Sequence, residues 1–155
     1  MSWLSGGQTA FSPNGRHVVY LSYPEHDLLM ADVDGGHQHS LLQGEVHGAL
    51  ARWSPDGRYI AFLSWRGATT PSRIRIVSPD GQLQVEPVSL PGWQGAPGWL
   101  SDHEIVFGEN GPKFPIPSSC MLHVFDWNSG RVEALPGTSA LDSPPLAGWT
   151  SGCRR

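Results

Sequence analysis

Short, almost continuously apolar runs recur along this chain, each closed by a cluster of Gly, Pro, Asp, Asn or Ser. The first set is His17-Val18-Val19-Tyr20-Leu21-Ser22, Arg58 to Ser64 (R-Y-I-A-F-L-S) and Glu104-Ile105-Val106-Phe107. Such runs suit strands covered on both faces, where polar positions need not alternate with apolar ones. A second set follows each: Leu28 to Val33, Arg73 to Val77 and Met121 to Phe125. Turn signals then intervene at Asp34-Gly35-Gly36, Pro79-Asp80-Gly81 and Asn128-Ser129-Gly130. Punctuation of this kind between strand-like runs favours tight hairpins. A last run closes each unit: Gln38 to Leu42, Leu83 to Val88 and Arg131 to Leu135. No segment sustains a 3.6-residue period, so negligible helix is expected.

The pattern is a repeat. An aromatic opens each unit at Phe11, Trp53 and Trp99, and again at Trp149, at spacings of 42, 46 and 50 residues. After it comes Ser54-Pro55-Asp56-Gly57 in the middle copy and Ser12-Pro13-Asn14-Gly15 in the first. Proline presets the turn, Asp or Asn bonds its own backbone, and Gly relaxes the exit. Four short antiparallel strands in roughly 40–45 residues make the blade of a β-propeller.

Trp53 to Phe62 (W-S-P-D-G-R-Y-I-A-F), with Ile74 to Gly81 after it, resembles the WD40-like repeat of TolB-type propellers. The resemblance covers about residues 8–137 as three blades, 8–44, 49–92 and 96–137, with the start of a fourth near 143–149. The first copy has Phe11 for Trp and Asn14 for Asp; the third keeps Trp99 but lacks the turn's Pro and Gly. The family motif shapes the blade and binds nothing in particular, so no functional residue carries over from it. The expected fold is all-β: a partial propeller of three consecutive four-stranded blades. Propellers close with about four to eight blades, and the resemblance implies six. Three blades leave two apolar flanks. The chain is therefore expected to be a fragment of a longer one, with two alternatives: a homodimer completing a six-bladed ring, or three blades standing alone.

A net charge of −4, with no basic stripe, argues against nucleic acid as a partner. No run approaches the roughly 18–20 apolar residues of a membrane span. Met1 to Gly7 shows neither a basic start nor a long apolar core, so no secretory signal is read and the default location is cytoplasmic. Cys120 and Cys153 fit no zinc or C-x-x-C spacing and read as free thiols.

Candidate chemistry is sparse. His37-Gln38-His39 offers two imidazoles on one strand face, but a polar hairpin explains the pair better than a metal. Asp32 and Asp34 start like a calcium loop without the glutamate it requires. His17 and His103 both follow a first turn, which suggests a common packing role. The chain has no nucleophile elbow, P-loop or G-x-G-x-x-G. No catalytic, cofactor or metal residue is assigned.

Loop lengths say more. The second and third strands are joined by Tyr23 to His26, by Trp65 to Ser72, and by Glu109 to Ser118, while the opposite turns stay short. Insertions on one face of a repeat protein often mark its binding face. Tyr23, His26, His47, Trp65, Arg66, Trp93, Lys113 and Phe114 form the candidate surface, for a protein or small-ligand partner. The function expected is a non-catalytic scaffold. Alternatives are the propeller portion of a prolyl-oligopeptidase-type serine peptidase, and a sugar-binding or enzymatic propeller acting at the central channel.

Overall fold

The computed structural model describes residues 9–44, 51–64, 72–85, 93–94, 97–110 and 120–135. The first blade consists of β1 (Ala10–Phe11), β2 (His17–Leu21), β3 (Leu28–Asp32) and β4 (His39–Leu42), hydrogen-bonded in that order. The second is β5 (Arg52–Trp53), β6 (Ile60–Ser64), β7 (Arg73–Val77) and β8 (Gln84–Val85). Next comes β9 (Trp93–Gln94), then the third blade of β10 (Gly98–Trp99), β11 (Glu104–Asn110), β12 (Cys120–Asp126) and β13 (Arg131–Ala134). Every pairing is antiparallel, and no helix occurs among the described residues. This is the expected succession of propeller blades. One strand exceeds the expectation: β9 pairs with the far end of β11, Trp93 opposite Asn110, giving the third sheet a fifth strand.

The pairings define the repeat frame. Phe11 faces Val18, Trp53 faces Ile60, and Trp99 faces Ile105. Val18, Ile60 and Ile105 are therefore equivalent, and so are the residues before them, His17, Tyr59 and Glu104. His17 and His103 do not match: the shortened third turn shifts the frame by one, and Glu104 takes the equivalent place.

The continuously apolar β6 is explained by its neighbours. Ile60 and Phe62 join a cluster with Val19, Leu21, Leu28, Met30 and Leu41 of the first blade. Ala61 and Leu63 point the other way and pack with Ile74, Ile76, Ile105, Phe107 and Phe125. Successive strand residues face opposite sides of a sheet. A blade sandwiched between two others must therefore be apolar at every position. The two cores are stacked, and the short first strands β1, β5 and β10 lie side by side along the inner edge.

Candidate binding faces

Antiparallel order puts two kinds of connection on opposite faces. The links between first and second strands, and between third and fourth, share one face, here called the turn face. The links between second and third strands emerge on the other, the loop face, with the connections between blades.

The turn face is built by one device used three times. Ser12-Pro13-Asn14-Gly15, Ser54-Pro55-Asp56-Gly57 and Ser78-Pro79-Asp80-Gly81 fold alike. The Ser12 hydroxyl donates to Asn14 Oδ1 at 2.7 Å and Ser54 to Asp56 Oδ1 at 2.6 Å; Ser78 makes the same bond to Asp80. Each serine oxygen also accepts the backbone N–H five residues on, from His17, Tyr59 and Leu83, at 2.9, 3.0 and 2.9 Å. The closing glycines have φ of +70°, +72° and +72°, a region that L side chains avoid. The hairpin signal at residues 79–81 is thus, with Ser78 in front of it, a third copy of the motif of the first turns.

Between these turns stand the ionisable groups. Asp32 accepts from His17 Nδ1 at 2.8 Å on one carboxylate oxygen and from His37 Nδ1 at 2.6 Å on the other. The His37 hydrogen bond, more than any other influence, holds the Asp32 carboxyl below its usual range. The same bond raises His37. His37 has φ of +46°, and Gly36 N–H donates to Asp34 Oδ1 at 2.9 Å. His39 turns away, with its Nε2 2.8 Å from the carbonyl oxygen of Pro79 in the second blade. His37 and His39 therefore do not converge, and no His, Cys, Asp and Glu cluster among the described residues could hold a metal ion. Further round, Arg58 lies 5.7 Å over the Tyr59 ring, and Tyr59 meets Trp127 edge-on at 4.3 Å. Arg58 and Tyr59 open onto a shallow groove shared with Ser78, Pro79, Asp80, Gln82 and Leu83.

On the loop face stand two of the sequence-predicted residues, Tyr23 and His26. Tyr23 is 60% exposed, and its ring meets that of His26 edge-on at 5.1 Å. Their loop is closed by Ser22 N–H to Asp27 O at 2.9 Å and by His26 N–H to Ser22 O at 3.2 Å. Asp27 Oδ1 then accepts Gly44 N–H at 2.6 Å, tying the loop to the connection that leaves this blade. The Trp93 backbone, paired at the Asn110 end of β11, lies at the same face. His47, Trp65, Arg66, Lys113 and Phe114 lie outside the described residues. The strand ends beside them, Ser64 and Asn110, both open onto the loop face.

No protein-family model matches the chain. It is 32% identical over 104 residues to the Tol-Pal system protein TolB of Alcanivorax borkumensis, a match covering 64% of this chain and 23% of that protein. The solved structure of a TolB candidate from Agrobacterium tumefaciens superposes with a TM-score of 0.65 at 26% identity, over 83% of this chain and 48% of that one. The β-propeller domain of the Trilobed protease from Pyrococcus furiosus, described as having an open velcro topology, superposes with a TM-score of 0.59 at 14% identity, over 82% of this chain and 42% of that one. The chain thus spans under a quarter of the length of the curated relative and about half of the first solved structure.

Proposed function

We propose that this chain, whose repeats are those of the TolB-like β-propellers, serves as a non-catalytic scaffold that meets a protein or small-ligand partner on its loop face. The observation carrying this reading is the asymmetry between the two faces. Each hairpin of the second blade turns on a four-residue S-P-D-G unit at the turn face. On the loop face β6 ends at Ser64 and β11 at Asn110, and in the sequence residues 65–71 and 111–119 join them to the next strands. They include Trp65, Arg66 and Phe114, of types enriched at protein interfaces, together with Lys113.

The test is joint replacement of those four residues by Ala, with capture of partners by immobilised wild-type and variant chains compared. Loss of capture with an unchanged unfolding curve supports the loop face. Retained capture moves the site elsewhere. Hydrolysis of peptide or glycoside reporters by the chain itself would sink the non-catalytic reading.

A second reading is the propeller portion of a serine peptidase, with substrate access rather than binding as its task; the fold shared with a protease's propeller domain is compatible with it. A second copy of the chain is a further partner we propose. Phe11 is 64% exposed at the position where Trp53 and Trp99 pack on a neighbouring blade. A copy completing a six-bladed ring would cover it.

A further inference from the structure

We propose that Asn14 is a self-modification site: when the first turn opens, its side-chain amide is exchanged for a carboxylate through the Gly15 nitrogen, and the aspartyl product closes again as the S-P-D-G turn of the second blade.

The chemistry lies in the Asn14-Gly15 pair. Glycine has no Cβ to hinder its own backbone nitrogen. Once that nitrogen has given its proton to solvent base, it attacks Asn14 Cγ. A nitrogen–Cγ bond forms, the Cγ–Nδ2 bond breaks, and Nδ2 leaves as ammonia with a proton from water. The cyclic imide then takes up water. Opening at Cγ gives aspartate; opening at the backbone carbonyl gives an isoaspartyl linkage, which lengthens the main chain. Water enters and ammonia leaves, with no other reagent.

The fold decides when this happens. Asn14 and Gly15 are exposed, and a Cβ at Gly15 would meet nothing within 4 Å, so solvent reaches the pair. The closed turn still holds both reacting groups back. Gly15 N–H donates to Ser12 O at 2.9 Å. Asn14 Oδ1 accepts from the Ser12 hydroxyl at 2.7 Å and from Arg16 N–H at 3.0 Å. Attack requires the Gly15 bond to break and the side chain to swing toward the nitrogen. Local opening of the turn therefore comes first.

The repeat shows what the product does. Asp56 stands where Asn14 stands and accepts the same two bonds, from the Ser54 hydroxyl at 2.6 Å and Arg58 N–H at 3.0 Å. Ser78 and Gln82 N–H serve Asp80 alike, and these two donors, the hydroxyl first, hold its carboxyl below the usual range. The turn thus favours an ionised acceptor, and bonds to a carboxylate are the stronger kind. The isoaspartyl branch would displace Gly15 N–H from Ser12 O. The other Asn-Gly pair, Asn110-Gly111, begins at the end of β11 and has no aspartyl counterpart in the repeat.

The test uses the whole chain at neutral pH, folded in buffer and unfolded in urea. Trypsin releases Met1 to Arg16, in which Asn14 is the only asparagine, and mass spectrometry reads the amide-to-acid exchange. Asn14 should react at least about tenfold more slowly in the folded chain, because hydrogen bonds must break first. Ser12→Ala frees Asn14 Oδ1 and keeps the Asn-Gly pair; it should raise the folded rate about fivefold to tenfold, the worth of one hydrogen bond. Asn14→Asp should fold with an unfolding midpoint no lower than that of the wild-type chain. The proposal is overturned if folded and unfolded chains react alike, if Ser12→Ala leaves the folded rate unchanged, or if Asn14→Asp lowers the midpoint. Should Ser12→Ala fail to fold, the folded-against-unfolded comparison and Asn14→Asp decide.

Discussion

The indole N–H of Trp53 donates to the carbonyl oxygen of Ala10 at 3.0 Å, one blade away. Trp99 repeats the contact one blade on, donating to the carbonyl of Arg52 at 2.9 Å. Ala10 and Arg52 each precede the aromatic that opens their own blade. The repeat aromatic is thus an inter-blade fastener: its ring packs against the seam core and its N–H fixes the inner strands in step. That explains why one residue type marks each repeat although it lies near the end of a two-residue strand.

Two substitutions separate these roles. Trp53→Phe keeps most of the ring and loses the N–H, which should cost about 1 kcal/mol. Trp53→Ala loses both. Trp53 is only partly buried, so about 3 kcal/mol is expected, the lower end for large aromatic truncations. Denaturant unfolding of the two variants checks the order. Equal costs would mean that the ring alone matters, and a Trp53→Ala cost below about 1 kcal/mol would remove it from the core.

The S-P-D-G turn makes a second prediction. Ser54 is fully buried, and its hydroxyl both donates to Asp56 and accepts from Tyr59 N–H. Ser54→Ala leaves the part-buried Tyr59 N–H without its acceptor and should cost about 1 kcal/mol or more. At Gly57, φ is +72° and a Cβ would meet Pro13 Cδ at 3.6 Å, an ordinary contact. The penalty for Gly57→Ala is therefore conformational, about 1–2 kcal/mol. Thermal melts of both variants would show whether Ser54 outweighs Gly57.

How much of this was legible follows from the range of each interaction. The Trp53 copy and its turn are local, and the three blades could be read from residues 8–137. The third copy kept Trp99 and lost its turn; its register held, but the shortened loop hid the equivalence of Glu104 with His17. The Ser78 turn is equally local, since Ser78-Pro79-Asp80-Gly81 repeats Ser54 to Gly57 letter for letter. The contact from His39 to Pro79 spans 40 residues and depends on how two blades settle together, which no local pattern encodes. The loop-face candidates rest on residue type and loop length, neither of which encodes where a side chain settles. Of these, Tyr23 and His26 come together, and the Trp93 backbone lies at the same face.

The Asp32–His37 pair predicts a pH window. A lowered Asp32 contributes stability above its unfolded value, and that contribution is lost as pH falls through the folded one. A raised His37 contributes fully below its unfolded value of 6.5, and that contribution is lost as pH rises through the folded one. The pair therefore acts between the carboxylate and imidazole ranges. His37 is 90% exposed, so screening keeps the effect small. Asp32→Asn should lower the melting temperature most inside that window and least outside it, in scans across pH at low salt. A uniform drop would assign Asp32 a structural role instead.

Phe11 gives the last prediction. It pairs with Val18 as Trp53 does with Ile60, yet the residue is 64% exposed and its ring carries no N–H. Repeat alignment makes Gly98 the third-blade counterpart of Ala10 and Arg52. In a ring of two copies, Phe11 of one would face the Gly98 carbonyl of the other. Phe11→Trp would supply the missing indole donor, and Phe11→Asp would place a charge in the seam. Sedimentation velocity should show self-association of wild-type chain, tightened up to about tenfold by Phe11→Trp, the worth of roughly one good hydrogen bond. Phe11→Asp should weaken it without moving the unfolding midpoint. The aspartate variant is the stricter arm, because a charge buried in a seam is costly wherever the acceptor lies. If neither variant changes the association, this flank is not where copies meet.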